Sequence, residues 1–220
     1  AIYDLGGGTF DVTIAKIVGQ DVEVLATEGV KTLGGGDFDM ELQKLVTTKY
    51  KEKTGKGPAA LDFTKNDAED LKKSLSKRDR GTARVGLELI EVSREEFEEA
   101  ISTLIAKTEM LCQSALAEAG VSVNEVKHVL FAGGSTRVPV VVASATKLFQ
   151  QEPVSTANVD EVVAMGAALY AIYKGDEEEM NEAQKDSAER MKIQDRTSKY
   201  FGTLALSPSG LRKMKNVVII

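Results

Sequence analysis

The chain opens with AIYDLGGGTFD at residues 1–11. Residues 1–5 have the apolar character of a short buried strand, and three glycines follow it directly. Consecutive glycines let the backbone turn through positive φ and leave no Cβ in the way of a ligand. Such a turn can direct several N–H groups into one concavity that suits an anion. Asp4 and Asp11 flank the turn, and carboxylates beside a phosphate site are useful when Mg²⁺ lies between them.

A tight glycine hairpin with two solvated aspartates accounts for the same residues, so a second stretch is needed to decide. Residues 126–132 predict another buried strand, and the sequence GGSTRVP follows at residues 133–139. A strand, a double glycine, a hydroxyl pair and a helix start form the kind of element that receives a nucleotide at a helix N-terminus. The two stretches together favour a phosphate site over a plain hairpin.

These stretches also carry a specific resemblance. DLGGGTFD at residues 4–11 and GGSTRVP at residues 133–139 resemble the second phosphate motif and the adenosine motif of the actin-like ATPases. The residues of both motifs are similar to those of the seventy-kilodalton, DnaK-type heat-shock chaperones. Between them, LGGGDFD at residues 33–39 resembles the family's LGGEDFD, with Gly36 in place of the glutamate. The resemblance runs over about residues 1–173.

The order of predicted elements suits an α/β core with an insertion. The resemblance implies that residues 1–174 are the C-terminal lobe of an actin-like (ribonuclease H-like) nucleotide-binding domain. About residues 37–110 would carry its inserted α+β outer subdomain. A charged linker at 175–198 and a short β stub at 199–220, the start of the peptide-binding β domain, would follow. Family linkers have a leucine-rich acidic motif that residues 192–199 lack, which weakens the expectation of the usual interdomain coupling.

Three catalytic residues follow from the resemblance. Asp4 would lie in the outer shell of Mg²⁺, held through water. Thr9 would contact the γ-phosphate or the attacking water, and Asp11 would help to place that water or a cation. ATP or ADP and Mg²⁺ are the implied cofactors, and the protein's task in such hydrolysis is mostly positioning.

The nucleotide itself would be held by a larger set of residues. By the resemblance these are Gly6, Gly7, Gly8, Thr9, Glu69, Lys72, Lys73, Ser76, Gly133, Gly134, Ser135, Arg137 and Asp160. Arg137 would stack on the adenine, whereas Lys73 stands where the family has arginine and offers no planar group. Without the resemblance, residues 69–76 are a solvated charged helix face, and Asp160 is the N-cap of a following helix.

The implied function is the ATP-binding lobe of a molecular chaperone that couples ATP binding and hydrolysis to the binding and release of unfolded polypeptides. The family's other catalytic groups lie in the preceding lobe, so we expect this fragment alone to be inactive. Unfolded polypeptides and the J-domain and nucleotide-exchange co-chaperones are the implied partners. An actin-like filament protein, a sugar or acid kinase, and a divergent binding lobe without turnover are the alternatives.

Composition restricts the remaining classes. The net charge is −6, from 28 basic and 34 acidic residues, which argues against nucleic acid or an anionic membrane as partner. No apolar run approaches the roughly 20 residues of a membrane span, and no signal peptide is predicted.

A single cysteine excludes an internal disulfide and fits a reducing, cytoplasmic location. Cys112 shares a helical face with Phe97 and Ile101, which predicts a core position. His128, the only histidine, excludes a multi-histidine metal site.

Local patterns predict the individual elements. We expect strands at residues 1–5, 10–18 and 22–30, and helices at 37–54 (capped by Asp37), 66–76 and 138–150. Ser93 and Glu96 form a capping box that opens one long helix to about residue 119. Asp160 would start a helix of small residues that packs on a sheet, and residues 175–195 a solvated helix or linker. Apolar strands at 200–206 and 216–220 are expected to dock or to form a dimer.

Overall fold

The computed structural model describes residues 1–19, 21–59, 61–155, 159–175, 180–189, 192–194, 202–206 and 214–218. The strands are β1 (Ile2–Leu5), β2 (Phe10–Val18), β3 (Asp21–Val30), β4 (Arg80–Val85), β5 (Glu88–Ser93), β6 (Leu130–Ala132), β7 (Val154–Ser155), β8 (Lys192–Gln194), β9 (Gly202–Leu206) and β10 (Met214–Val218). The helices are α1 (Gly35–Thr54), α2 (Lys65–Leu75), α3 (Arg94–Ala100), α4 (Ser102–Ala119), α5 (Pro139–Phe149), α6 (Val162–Lys174) and α7 (Glu182–Glu189). The fold is therefore mixed α/β, as the sequence predicts.

A six-stranded sheet in the order β7-β6-β1-β2-β3-β8 forms the centre. β1, β2 and β3 are antiparallel neighbours, whereas β6 runs parallel to β1 and pairs Leu130 with Ile2. Parallel strands end at the same edge of a sheet, which is where such sheets bind ligands. The glycine turn after β1 and the glycine turn after β6 are consequently side by side.

The core lies between this sheet and α4, which packs across β2 and β3. Alternate residues of β1 and β2 point into it, so Tyr3, Leu5 and Phe10 are fully buried. The Tyr3 hydroxyl donates to Thr108 Oγ1 on α4 at 3.0 Å. Cys112 is also fully buried, which confirms its predicted core position, and burial raises the pKa of its thiol to about 12.

A second packed region is built by α1, α2, α3 and the β4–β5 hairpin. α2 and α3 begin as capping boxes, and that of α3 is the predicted pair of Ser93 and Glu96, which the structure confirms. The predicted N-cap role of Asp37 is wrong. Gly34 caps α1, and the Asp37 carboxylate one turn inside accepts the Gly34 N–H at 2.8 Å. The carboxylate still stabilises the positive end of the helix, from the third helical position.

Two predicted elements differ in extent. The expected long helix is interrupted at Ile101, whose ψ of 3° is not helical, so that it forms α3 and α4. The expected strand at residues 126–132 contracts to β6, and a 3₁₀ turn at Val123–Glu125 lies before it in the chain. Both changes concern backbone breaks in stretches whose apolar pattern continues without interruption.

The C-terminal part departs furthest from expectation. α6 was expected to pack on the sheet, but it contains no buried residue, and Val163 and Met165 are each 60% exposed. Within residues 175–195, where the sequence predicts a solvated helix or linker, α7 is helical, whereas β8 pairs in parallel with the edge strand β3. β9 and β10 form an antiparallel hairpin, whose side chains lie outside the described residues. Among the helices described, none is both long and apolar enough to cross a membrane.

Candidate functional site

The glycine turns after β1 and β6 are joined by a side-chain hydrogen bond. Ser135 Oγ donates to the Gly6 carbonyl oxygen at 2.8 Å. Gly133 has a φ of 81°, and a Cβ there would lie 2.3 Å from the Leu5 carbonyl oxygen. Only glycine combines that backbone conformation with so close an approach. The second turn therefore rests directly on the end of β1.

A third glycine segment, residues 34–36 at the start of α1, holds the first turn from the other side. The Gly35 N–H donates to the Gly6 carbonyl at 2.9 Å, and the Gly36 N–H donates to the Gly7 carbonyl at 2.7 Å. A Cβ at Gly34 would lie 2.5 Å from the Gly8 nitrogen, so this approach also requires glycine. The three glycine segments position one another through backbone contacts.

These segments and α2 surround a cavity of about 690 Å³. Its lining consists of Gly7, Gly35, Gly36, Asp39, Lys65, Glu69, Lys72, Lys73, Ser76, Lys77, Gly134, Ser135, Arg137, Val138 and Asp160. The lining holds five cationic side chains and three carboxylates, a surplus of two positive charges in a chain of net charge −6. An anionic ligand is therefore favoured here.

A buried ion pair holds α1 to α2 at the floor of the cavity. Lys72 Nζ lies 2.7 Å from Asp39 Oδ1 and donates to the Gly35 carbonyl oxygen at 3.0 Å. The Asp39 side chain is only 4% exposed and that of Lys72 11%. Burial raises the pKa of the Asp39 carboxyl, and the hydrogen bond from Lys72 opposes the rise. The ammonium predicted to face the adenosine is thus already engaged with protein oxygens.

An exposed ion pair lies across the cavity mouth. Arg137 NH2 donates to Asp160 Oδ2 at 2.7 Å, and NH1 donates to Oδ1 at 3.3 Å. Asp160 is not a helix cap, since α6 starts at Val162 with Glu161 as its N-cap. On α2, Lys73 pairs with Glu69 at 2.8 Å, with both side chains well exposed. The guanidinium face remains accessible because its carboxylate contacts lie in the plane of the group.

Asp4 and Asp11 are directly opposite in the β1–β2 register. Burial raises the pKa of the Asp4 carboxyl, and the charge of Asp11 raises it further. Two carboxylates at such a position would be stabilised by a hydrated cation between them and a phosphate, so the residues fit Mg²⁺ held through water. Nowhere in the described part of the chain do three or more metal-ligating side chains of the His, Cys, Asp and Glu types cluster.

The predicted nucleotide-binding residues separate into two groups. Gly7, Glu69, Lys72, Lys73, Ser76, Gly134, Ser135, Arg137 and Asp160 line the cavity together. Gly6, Gly8, Thr9 and Gly133 lie in the turns beside it, with Gly8 and Thr9 exposed. The roles assigned to Asp4, Thr9 and Asp11 stay predictions.

Sequence reasoning missed Asp39, Lys65 and Lys77 as residues of the cavity wall. Asp39 could have been found, because it lies on the buried stripe of α1 with Leu42 and Val46. A carboxylate on such a stripe needs a cationic partner. Lys65 and Lys77 lie on exposed positions, which carry no such signal.

Comparisons with known proteins identify the family of this chain. The family model described as Hsp70 protein matches residues 1–194. This chain belongs to the Hsp70 family of chaperones, whose nucleotide-binding region is an ATP-binding, actin-like ATPase.

Individual relatives are chaperones of the HscA type. The chain is 39% identical over 178 residues to the chaperone protein HscA homolog of Shewanella denitrificans. It is 40% identical over 175 residues to chaperone protein HscA of Escherichia fergusonii, and 40% over 171 residues to the HscA homolog of Azotobacter vinelandii. Each match covers 78% of this chain but 28% of the relative, so the chain spans little more than a quarter of those proteins.

Proposed function

We propose that this chain is the C-terminal lobe of the nucleotide-binding domain of a longer Hsp70-type chaperone. Residues 1–174 would form that lobe, with about residues 37–110 as its inserted outer subdomain. Residues 175–198 would link it to a peptide-binding β domain that begins at about residue 199. The observation that carries the proposal is the convergence of three glycine segments and a helix with basic residues on one cavity with a surplus of positive charge.

In this proposal the two ends of a nucleotide meet different parts of the cavity. The glycine turn at residues 6–8, with Thr9, takes the terminal phosphates, since such a turn offers N–H groups and no obstructing side chains. α2 and Arg137 take the adenosine, with the guanidinium stacked on the base. Asp4 and Asp11 hold Mg²⁺ through water, and the ion supplies charge neutralisation to the phosphates when bound.

The whole protein would use ATP binding and hydrolysis to bind and release unfolded polypeptides in the cytoplasm, with J-domain and nucleotide-exchange co-chaperones. The 220-residue chain by itself should hydrolyse ATP at no more than background, because a single lobe neither orients the attacking water nor excludes solvent. Turnover by the isolated chain that Thr9→Ala abolishes would contradict this.

We also propose that the C-terminal hairpin mediates a dimer when the β domain is cut short after β10. A two-stranded hairpin is marginal in water and its open edges recruit other strands. Light scattering should give twice the monomer mass for residues 1–220 and the monomer mass for residues 1–175. Monomers in both samples would rule the dimer out.

The nucleotide site is tested by titrating the full-length protein with ADP in a calorimeter. We expect ADP to bind, and Gly34→Ala to abolish binding, because the added Cβ meets the Gly8 backbone at 2.5 Å. Gly57→Ala is the matched control, since a Cβ there meets only the end of the Lys51 side chain, at 3.4 Å. Circular dichroism checks that both variants keep the fold. Absence of ADP binding by the unsubstituted protein would overturn the proposal.

A further inference from the structure

The cationic side chains of the cavity wall differ in whether they have a carboxylate partner. Lys72, Lys73 and Arg137 are each paired with an acidic residue, as described above. Lys65 and Lys77 form no ion pair with any carboxylate in the described ranges. These two ammonium groups are therefore the source of the cavity's positive surplus.

Lys65 is the one that lies beside the first glycine turn. A Cβ built on Gly36 would be 3.0 Å from Lys65 Nζ and 3.1 Å from the Gly7 carbonyl oxygen. The ammonium thus occupies the space that a side chain at position 36 would take, next to the turn. Lys77 lies 12 positions further along the chain, about 18 Å away at a helical rise. Lys65 is the first residue of α2, whereas Lys77 lies beyond its C-terminal end.

We propose that Lys65 contacts the phosphates of the bound nucleotide, and that glycine at position 36 keeps its ammonium free for that contact. The inference rests on the proposed function and adds a phosphate-binding residue to it. A carboxylate at position 36 would lie within reach of Lys65 and form an ion pair with its ammonium. With glycine at position 36, Lys65 is free, and the site favours phosphate-bearing nucleotides over nucleosides through a residue outside the glycine turns.

The test compares ADP and adenosine as ligands of the full-length protein, by calorimetry at low and high KCl. Lys65→Met should weaken ADP binding about threefold to tenfold, the effect of one charge-assisted contact at an exposed position. Its affinity for adenosine should be unchanged. Added salt should weaken ADP binding less in the variant than in the unsubstituted protein, since one screened attraction is missing.

Two further variants separate this effect from general charge and crowding. Lys147→Met removes the same charge from an exposed position on α5 outside the cavity and should change neither affinity. Gly36→Glu should weaken ADP binding more than Gly36→Gln, because both fill the space but only glutamate neutralises Lys65.

The outcomes distinguish a failure of the proposed nucleotide site from a failure of the role proposed for Lys65. If the unsubstituted protein binds neither ligand, the proposed function fails and the inference fails with it. If it binds ADP and Lys65→Met binds ADP equally well, the inference alone is overturned. Equal losses of ADP and adenosine in Lys65→Met would also overturn it, because they indicate an effect on the whole cavity rather than on phosphate.

Discussion

Two ion pairs face the same cavity and differ in almost every physical respect. Lys72 and Asp39 are nearly buried, with side-chain exposures of 11% and 4%, and they join two helices. Arg137 and Asp160 are 60% and 55% exposed, and they join a turn to the segment before α6. Removing one partner of a buried ion pair destabilises a protein by several kcal/mol, whereas an exposed pair contributes little to stability.

The difference separates positioning from binding. The Lys72 ammonium contacts Asp39 and the Gly35 carbonyl oxygen, which leaves one of its three N–H groups for a ligand, so the main work of the buried pair is to fix α2 against the glycine segment. In the exposed pair, the planar guanidinium of Arg137 remains accessible from the cavity and can stack on an aromatic ring.

Asp39→Ala should destabilise the chain by roughly 3–5 kcal/mol, because it leaves the Lys72 ammonium buried without its carboxylate. Urea unfolding followed by circular dichroism measures the change. The double variant Lys72→Met with Asp39→Leu should recover most of the loss, since an apolar pair of similar volume avoids the unpaired charge. A loss below 1 kcal/mol in Asp39→Ala would show that the pair is solvated in practice.

Arg137→Ala should weaken ADP binding to the full-length protein by about 0.5–2 kcal/mol, the range of a cation–π contact. Calorimetric titration gives the number, and Lys73→Arg should tighten binding slightly by adding a planar group. Unchanged affinity in Arg137→Ala would mean that the guanidinium serves Asp160 alone and that the adenosine assignment is wrong.

Asp160→Ala should change the free energy of unfolding by no more than about 1 kcal/mol, because its ion pair with Arg137 is exposed and screened by salt. The same urea experiment as for Asp39 provides the comparison. A loss as large as that of Asp39→Ala would abolish the distinction between the two pairs.

The pH dependence of stability should carry a small signature of the buried pair. The pKa of Asp39 is raised in the folded state, so between its unfolded value of 3.8 and that raised value the folded chain binds more protons than the unfolded one. Its contribution to stability therefore falls as pH rises through this window. Unfolding curves across the window should show stability rising more steeply with pH in Asp39→Asn than in the unsubstituted chain. Parallel curves would contradict the shift.

The sequence predicts most of the sheet because alternation and glycine turns are local signals. β1, β2 and β3 appear within a residue of their expected bounds, whereas the parallel pairing of β1 with β6 is a finding of the structure. The glycine turns are local signals as well, since their residue types permit few other backbone paths. The glycine turns that border the cavity could therefore be predicted from the motifs, whereas the roles of the site residues stay predictions.

The rest depends on partners distant in sequence. Small apolar residues in α6 indicate that one of its faces is suited to close packing, but they do not identify the element that covers it. The three residues of β8 carry only a weak strand pattern, and they form a strand because they pair with the edge of β3. Lys65 is an ordinary exposed lysine until Gly36 is placed beside it. Such features are determined by contacts between elements that are distant in the sequence, so no single stretch of sequence predicts them.

The hydrogen bond from Ser135 to the Gly6 carbonyl spans 129 positions of the chain. On a ribosome the first glycine turn is complete long before the second emerges, so the two cannot meet until about residue 137 is available. Closing so long a loop before its contacts form slows folding. We expect the cavity to be assembled late, with β1 protected by β2 and β3 in the meantime. The order of synthesis, as much as the final contacts, decides when this cavity is first complete.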